Sequence, residues 1–142
     1  MLTIEVINGP NLNLIGTREP DIYGDTSLEA YLETLAKQYP DLVLHARQSN
    51  IEGELIDFLH DCRHNANGII LNAGAYTHTS LALADAIAAI SVPVVEVHIS
   101  NVLAREEIRK TSYIASKCVG SISGLGLYGY ELALQYFIKK LH

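Results

Sequence analysis

The sequence predicts an α/β protein, a doubly wound five-stranded parallel sheet with helices on both faces. Two observations predict it. Short apolar runs alternate with segments of helical period along the chain, the arrangement that builds a parallel sheet. The chain has 142 residues, 49% hydrophobic and 18% charged, which suits one domain, residues 1–142, with a buried core. Right-handed crossovers then favour the flavodoxin-like strand order 2-1-3-4-5.

The elements follow in order. Residues 2–8 read as the first strand, although Thr3 and Glu5 alternate with Leu2, Ile4 and Val6 in a strand that should be central. Thr26 and Glu29 have the spacing of a capping box, ahead of Leu28, Tyr31, Leu32 and Leu35 at helical period. Residues 42–47 form a second strand. Ser49 with Glu52 repeats the box before a helix through Leu55, Phe58, Leu59 and Cys62, which Asn67-Gly68 ends. Residues 68–72 are the third strand. The helix over 81–90 is apolar on nearly every side, so burial is expected, with another subunit as one way to cover it. Residues 94–98 form the fourth strand, Asn101 caps a fourth helix with Glu106 and Glu107 in its early turns, residues 118–122 form the fifth strand, and a fifth helix covers 128–141.

A net charge of −6 argues against a general nucleic-acid binder, and any anionic ligand would need arginines gathered locally. No apolar run is long enough to span a membrane. The N-terminus reads as a strand rather than an export signal, and two cysteines, Cys62 and Cys118, suit a reducing compartment rather than a disulfide framework or zinc cluster. A cytoplasmic location is expected.

Ligands of doubly wound sheets bind beyond the carboxyl ends of the strands, where the winding reverses. The first strand leads into a long polar segment, Asn8-Gly9-Pro10-Asn11-Leu12-Asn13-Leu14 and Gly16-Thr17-Arg18-Glu19-Pro20-Asp21-Ile22-Tyr23-Gly24. Connections of that length are commonly functional lids. The third strand ends at Asn72 and runs through Ala73 to His78-Thr79-Ser80, and the fourth ends at Glu96-Val97-His98. Two histidines and an asparagine thus leave neighbouring strands at the ligand edge. Glu96 shares a strand face with His98 and suits an orienting role. Arg105 and Arg109, four apart on the expected fourth helix, would share one face, with pairing to Glu106 or Glu107 as the alternative to ligand binding.

The blocks Gly9-Pro10-Asn11-Leu12-Asn13, Arg18-Glu19-Pro20 with Tyr23-Gly24, Thr77-His78-Thr79-Ser80 with Asp85-Ala86, and Glu96-Val97-His98-Ile99-Ser100-Asn101 with Arg105-Glu106-Glu107 resemble the type II 3-dehydroquinate dehydratases, in order and at matching spacing. The resemblance implies anti elimination of water from 3-dehydroquinate to 3-dehydroshikimate through an enolate, without a cofactor, metal or Schiff base. It makes Tyr23 the base at C2 and His98 the acid for the departing hydroxyl. Arg18 would stabilise the developing negative charge, and Asn11 would hold the enolate. Asn72 with the backbone N–H groups of Ile99 and Ser100 would bind the substrate carboxylate. His78, Arg109 and Asp85 would bind ring hydroxyls, Asp85 from its own or a neighbouring subunit. It further implies a homo-oligomer, a dodecamer built from trimers, acting on an anionic cyclic hydroxy acid. The step belongs to the shikimate route to chorismate and aromatic amino acids, with quinate catabolism the alternative role.

A tyrosine base is physically reasonable. Lowering a phenol from about 10 to about 7 needs roughly 4 kcal/mol of preference for the anion. One guanidinium at about 4 Å supplies that much at an effective dielectric of about 20. Arg18 and Tyr23 share one loop, so its closure would activate the base and exclude water together.

Other signals weigh less. Gly124-Leu125-Gly126-Leu127-Tyr128-Gly129 matches a dinucleotide fingerprint, but no strand and acidic residue follow, so packing of the last helix is the better reading. His60 and His64 flank Asp61 where a zinc protease helix carries glutamate. A flavin- or nucleotide-binding module of the same fold would want a phosphate cradle where Pro10, Leu12 and Leu14 stand. A receiver-like domain would need aspartate at Asn72. A homologue that keeps the fold without activity is countered by the intact Arg18, Tyr23 and His98 set.

Overall fold

The computed structural model describes residues 1–16 and 26–141. Its strands are β1 (Thr3–Asn8), β2 (Val43–Gln48), β3 (Gly68–Asn72), β4 (Val94–His98) and β5 (Gly120–Ser123). They form one parallel sheet in the order β2-β1-β3-β4-β5, as the alternation predicts. The third and fourth strands have the expected bounds, and the others shift by one or two residues.

Among the described residues four α-helices cover the sheet: α1 (Leu28–Gln38), α2 (Glu52–Cys62), α3 (Leu81–Ala89) and α4 (Tyr128–Leu141). Strand side chains alternate between faces, so each central strand feeds two cores. Ile4, Val6, Ile70, Val95 and Val97 pack with Leu32 and Leu35 of α1 and Leu134 and Phe137 of α4. Ile7, Ile69, Leu71 and Val94 pack with Leu55 and Leu59 of α2 and Leu83 and Ile87 of α3. Each fully buried aliphatic side chain stabilises the fold by roughly 1.5–3 kcal/mol, which fixes the helical stripes against the sheet. Glu5 does lie in a central strand: it is buried on the α2 side, and its Oε1 meets Nδ1 of His45, its register partner on β2, at 3.1 Å.

Of the two expected capping boxes, one gives a cap close to its place, and α2 starts after Ile51 with no side-chain cap. Ser27, rather than Thr26, caps α1 by accepting from the Ala30 N–H at 3.1 Å. Ser49 accepts from the Ile51 N–H and donates to Glu54 rather than pairing with Glu52. Asn67 does not end α2, which stops at Cys62; its Oδ1 accepts from the Thr3 N–H at the start of β1.

The expected fourth helix does not form. Asn101 caps as anticipated, accepting from the Leu103 N–H, but the chain then makes three short 3-10 turns, Val102–Ala104, Glu107–Lys110 and Ala115–Lys117. Leu103 and Ile108 are exposed, so no apolar stripe holds a helix against the sheet. Tertiary bonds claim the segment instead: the Tyr113 N–H donates to the Thr77 carbonyl, and the Ser112 hydroxyl reaches Glu96.

Close backbone contact shapes the carboxyl edge. The Gly9 N–H donates to the Asn72 carbonyl at 2.7 Å, and a Cβ on Gly9 would lie 2.5 Å from the Ala73 oxygen. Only glycine lets the exits of β1 and β3 meet so closely. The Gly124–Gly129 motif is a turn into α4, with Gly124 at φ +87°, and Gly129 packs against Ile122 and Val97. No helix among the described residues is long and apolar enough to cross a membrane.

Candidate active site

A cavity opens at the carboxyl ends of β1, β3 and β4, the place the strand order predicts. Pro10, Asn11, Leu12 and Ile15 form its wall after β1, Asn72, Gly74, Ala75 and His78 its wall after β3, and His98, Ile99 and Ser100 its wall after β4. Asn11 holds a left-handed backbone, φ 68°, which asparagine tolerates better than most residues, and its N–H donates to Asn50 Oδ1 at 3.0 Å.

The end of β4 carries a hydrogen-bonded dyad. His98 Nε2 lies 2.6 Å from Glu96 Oε2. Two further donors meet the same carboxylate, the Ser112 hydroxyl at 2.8 Å and the Ser121 hydroxyl at 2.6 Å. Burial alone would push the Glu96 carboxyl up, but the bonds from His98, Ser121 and Ser112 and the attraction of His98 hold it below the ordinary carboxylate range. With Nε2–H donating to a carboxylate, Nδ1 is the His98 nitrogen left for a ligand, and it has no partner among the described residues. His78 stacks beside it, ring centroids 6.1 Å apart, and its Nδ1 donates to the Thr111 carbonyl at 2.7 Å. Burial and the nearby Glu96 charge push the Cys118 thiol up to about 12, so it stays protonated.

Asn72 is fixed from beneath. Its Nδ2 donates to the Tyr130 hydroxyl at 2.9 Å, which donates in turn to Asn8 Oδ1 at 2.7 Å. Asn72 Oδ1 accepts from the Gly74 N–H at 3.2 Å. Burial pushes the Tyr130 phenol well up, against the bond from Asn72, and so keeps it a donor.

Two arginines reach the cavity across the sheet edge. Arg109 Nε contacts both Glu106 oxygens at 3.2 and 3.3 Å, and Arg105 Nε lies 3.7 Å from the same carboxylate. One carboxylate facing two guanidiniums leaves local positive charge in a chain of net charge −6. Arg105 also donates to the Ser100 hydroxyl.

The chain matches the family model for class II dehydroquinases over residues 2–138. It belongs to the class II dehydroquinase family. It is 56% identical to a 3-dehydroquinate dehydratase of Exiguobacterium sp., over 97% of this chain and 95% of the relative. It is 49% identical to a catabolic 3-dehydroquinase 2 of Neosartorya fischeri, over 99% and 95%. The crystal structure of a type II dehydroquinase from Butyrivibrio crossotus superposes with a TM-score of 0.91 at 44% identity, covering 96% of this chain and 97% of that one.

The class II dehydroquinase match spans all five strands and every site residue the sequence singled out. Asn11, Asn72, His78, His98, Ile99, Ser100 and Arg109 meet at the cavity. Arg18 and Tyr23 lie outside the described residues. Asp85 is on the exposed face of α3, away from the lining. The arginines do not share one helical face: Arg105 is the extended residue after the Val102–Ala104 turn and Arg109 lies within the Glu107–Lys110 turn, and both also pair with Glu106. Sequence reasoning missed the supports: Asn8 and Tyr130 behind Asn72, and Ser112 and Ser121 around Glu96. Strand register holds the one usable signal, since Ser121 lies opposite Glu96.

Proposed function

We propose that this chain catalyses the dehydration of 3-dehydroquinate to 3-dehydroshikimate as one catalytic domain of residues 1–142. The carrying observation is His98, backed by buried Glu96, in the wall of a cavity flanked by two arginines, in a chain so similar to named 3-dehydroquinate dehydratases. Tyr23, as phenolate beside Arg18, removes the C2 proton and leaves an enolate that Asn11 stabilises. Protonated His98 gives its Nδ1 proton to the C1 hydroxyl, which leaves as water while the enolate collapses to the enone. The Tyr23 and His98 protons are then exchanged with solvent, and the enzyme returns to its starting state.

Binding follows from charge and donors. Asn72 and the N–H groups of Ile99 and Ser100 hold the carboxylate, and His78 and Arg109 hold ring hydroxyls. Asp85 enters from a neighbouring subunit. Its helix supports that reading: Leu81 is 64% exposed, and Ala82, Asp85, Ala88 and Ala89 lie open on the same single chain. A homo-oligomer, a dodecamer of trimers, covers this apolar face. We place the enzyme in the cytoplasm, in the shikimate route to aromatic amino acids. The similarity to a protein named as catabolic favours quinate breakdown as the second reading.

Purified protein given 3-dehydroquinate should develop enone absorbance, and borohydride added with substrate should leave activity intact. No absorbance change overturns the reaction; loss of activity to borohydride overturns the imine-free course. A deletion strain that requires aromatic amino acids supports the biosynthetic role, and one that only loses growth on quinate supports the catabolic role.

A further inference from the structure

The segment between the Glu107–Lys110 and Ala115–Lys117 turns touches the His78 imidazole and the carboxylate behind His98. The Thr111 carbonyl accepts from His78 Nδ1 at 2.7 Å, and the adjacent Ser112 hydroxyl donates to Glu96 Oε2 at 2.8 Å. The Tyr113 N–H then donates to the Thr77 carbonyl at 2.9 Å, tying the same segment to the residue before His78. The Ala115 N–H donates to the Ser112 oxygen at 3.0 Å, which turns its hydroxyl hydrogen toward Glu96. From the other side Ser121, in register opposite Glu96, donates to Oε1 at 2.6 Å.

Glu96 is buried, and both of its oxygens are engaged. A carboxylate so held can rotate only by giving up a charge-assisted bond. We propose that Ser112 and Ser121 are positioning residues that lock the Glu96 carboxylate plane and thereby hold neutral His98 as its Nε2–H tautomer, while Thr111 holds His78 as its Nδ1–H tautomer. Each neutral ring then turns an acceptor nitrogen to the ligand, Nδ1 on His98 and Nε2 on His78, and the proton that makes His98 an acid is taken up at Nδ1. The strap accounts for the β4–β5 connection forgoing a helix: the non-helical segment from Thr111 brings a carbonyl to His78 and a hydroxyl to the carboxylate behind His98. The proposal rests on the dehydratase reading only for its kinetic consequence; the tautomers are a property of the free protein.

The test uses the full chain with 15N-labelled histidine. Ser121 is exposed on the edge strand, so Ser121→Ala is the variant least disturbing to the fold. In the parent, the neutral His98 ring should show a single Nε2–H tautomer by 15N chemical shift. Ser121→Ala, and more strongly Ser112→Ala with Ser121→Ala, should show a mixture, with kcat down about tenfold and KM within about twofold. Ser121→Thr, which keeps the hydroxyl, should recover both properties. A single retained tautomer, or unchanged turnover, in folded Ser121→Ala overturns the proposal, and that variant decides if the double variant does not fold. If the parent does not turn over 3-dehydroquinate, the dehydratase reading fails, and the tautomer alone decides the clamp.

Discussion

His98 Nε2 and Glu96 Oε2 stand 2.6 Å apart at the end of the fourth strand, two residues apart on one face. The pair is buried, and the carboxylate does not line the cavity. In the proposed reaction Glu96 therefore acts through His98. Glu96→Gln should lower kcat roughly tenfold to a hundredfold with little change in KM, because a charge-assisted bond is lost behind the acid rather than at the ligand. Steady-state kinetics checks the split.

The same residue sets an acid limb of stability. Its folded value lies below the ordinary 4.5, so its contribution is complete above the unfolded value and is lost as pH falls through the lower folded one. Urea midpoints measured from neutral pH down through about pH 3 should fall for the parent, and the Glu96→Gln protein should fall less steeply.

Tyr130→Phe removes one hydroxyl from a buried chain that joins Asn8 to Asn72. Two buried amides lose a partner, so urea unfolding should show a loss of about 1–3 kcal/mol. Asn72 is left with freedom to turn, and KM should rise more than kcat falls.

Arg109→Ala deletes one of two guanidiniums that share Glu106 beside the cavity. Glu106, no longer divided between them, then neutralises Arg105. KM for an anionic substrate should rise roughly tenfold to a hundredfold. A variant with unchanged KM would remove Arg109 from the binding role.

The order of the sheet was legible because strict alternation and right-handed crossovers leave few arrangements, and β3 and β4 are apolar runs with sharp polar ends. The ligand edge followed from that order, which is why Asn72, His78 and His98 were visible before any geometry. The β4–β5 connection was not legible. Asn101 gave a true cap signal, but the residues after it are held by bonds to Thr77, His78 and Glu96, partners distant in sequence. The supports of the site escaped for the same reason: Tyr130 is 122 residues from Asn8, and Ser121 is 25 from Glu96. Glu96 itself was legible, since strand alternation alone puts it beside His98.

The most direct measurement is the turnover of 3-dehydroquinate by the parent and by His98→Ala, with folding of both verified by circular dichroism. Loss of a positioned general acid should lower kcat by about 100- to 10,000-fold while the parent produces the enone. A folded His98→Ala protein that dehydrates 3-dehydroquinate at near the parental rate would contradict the account.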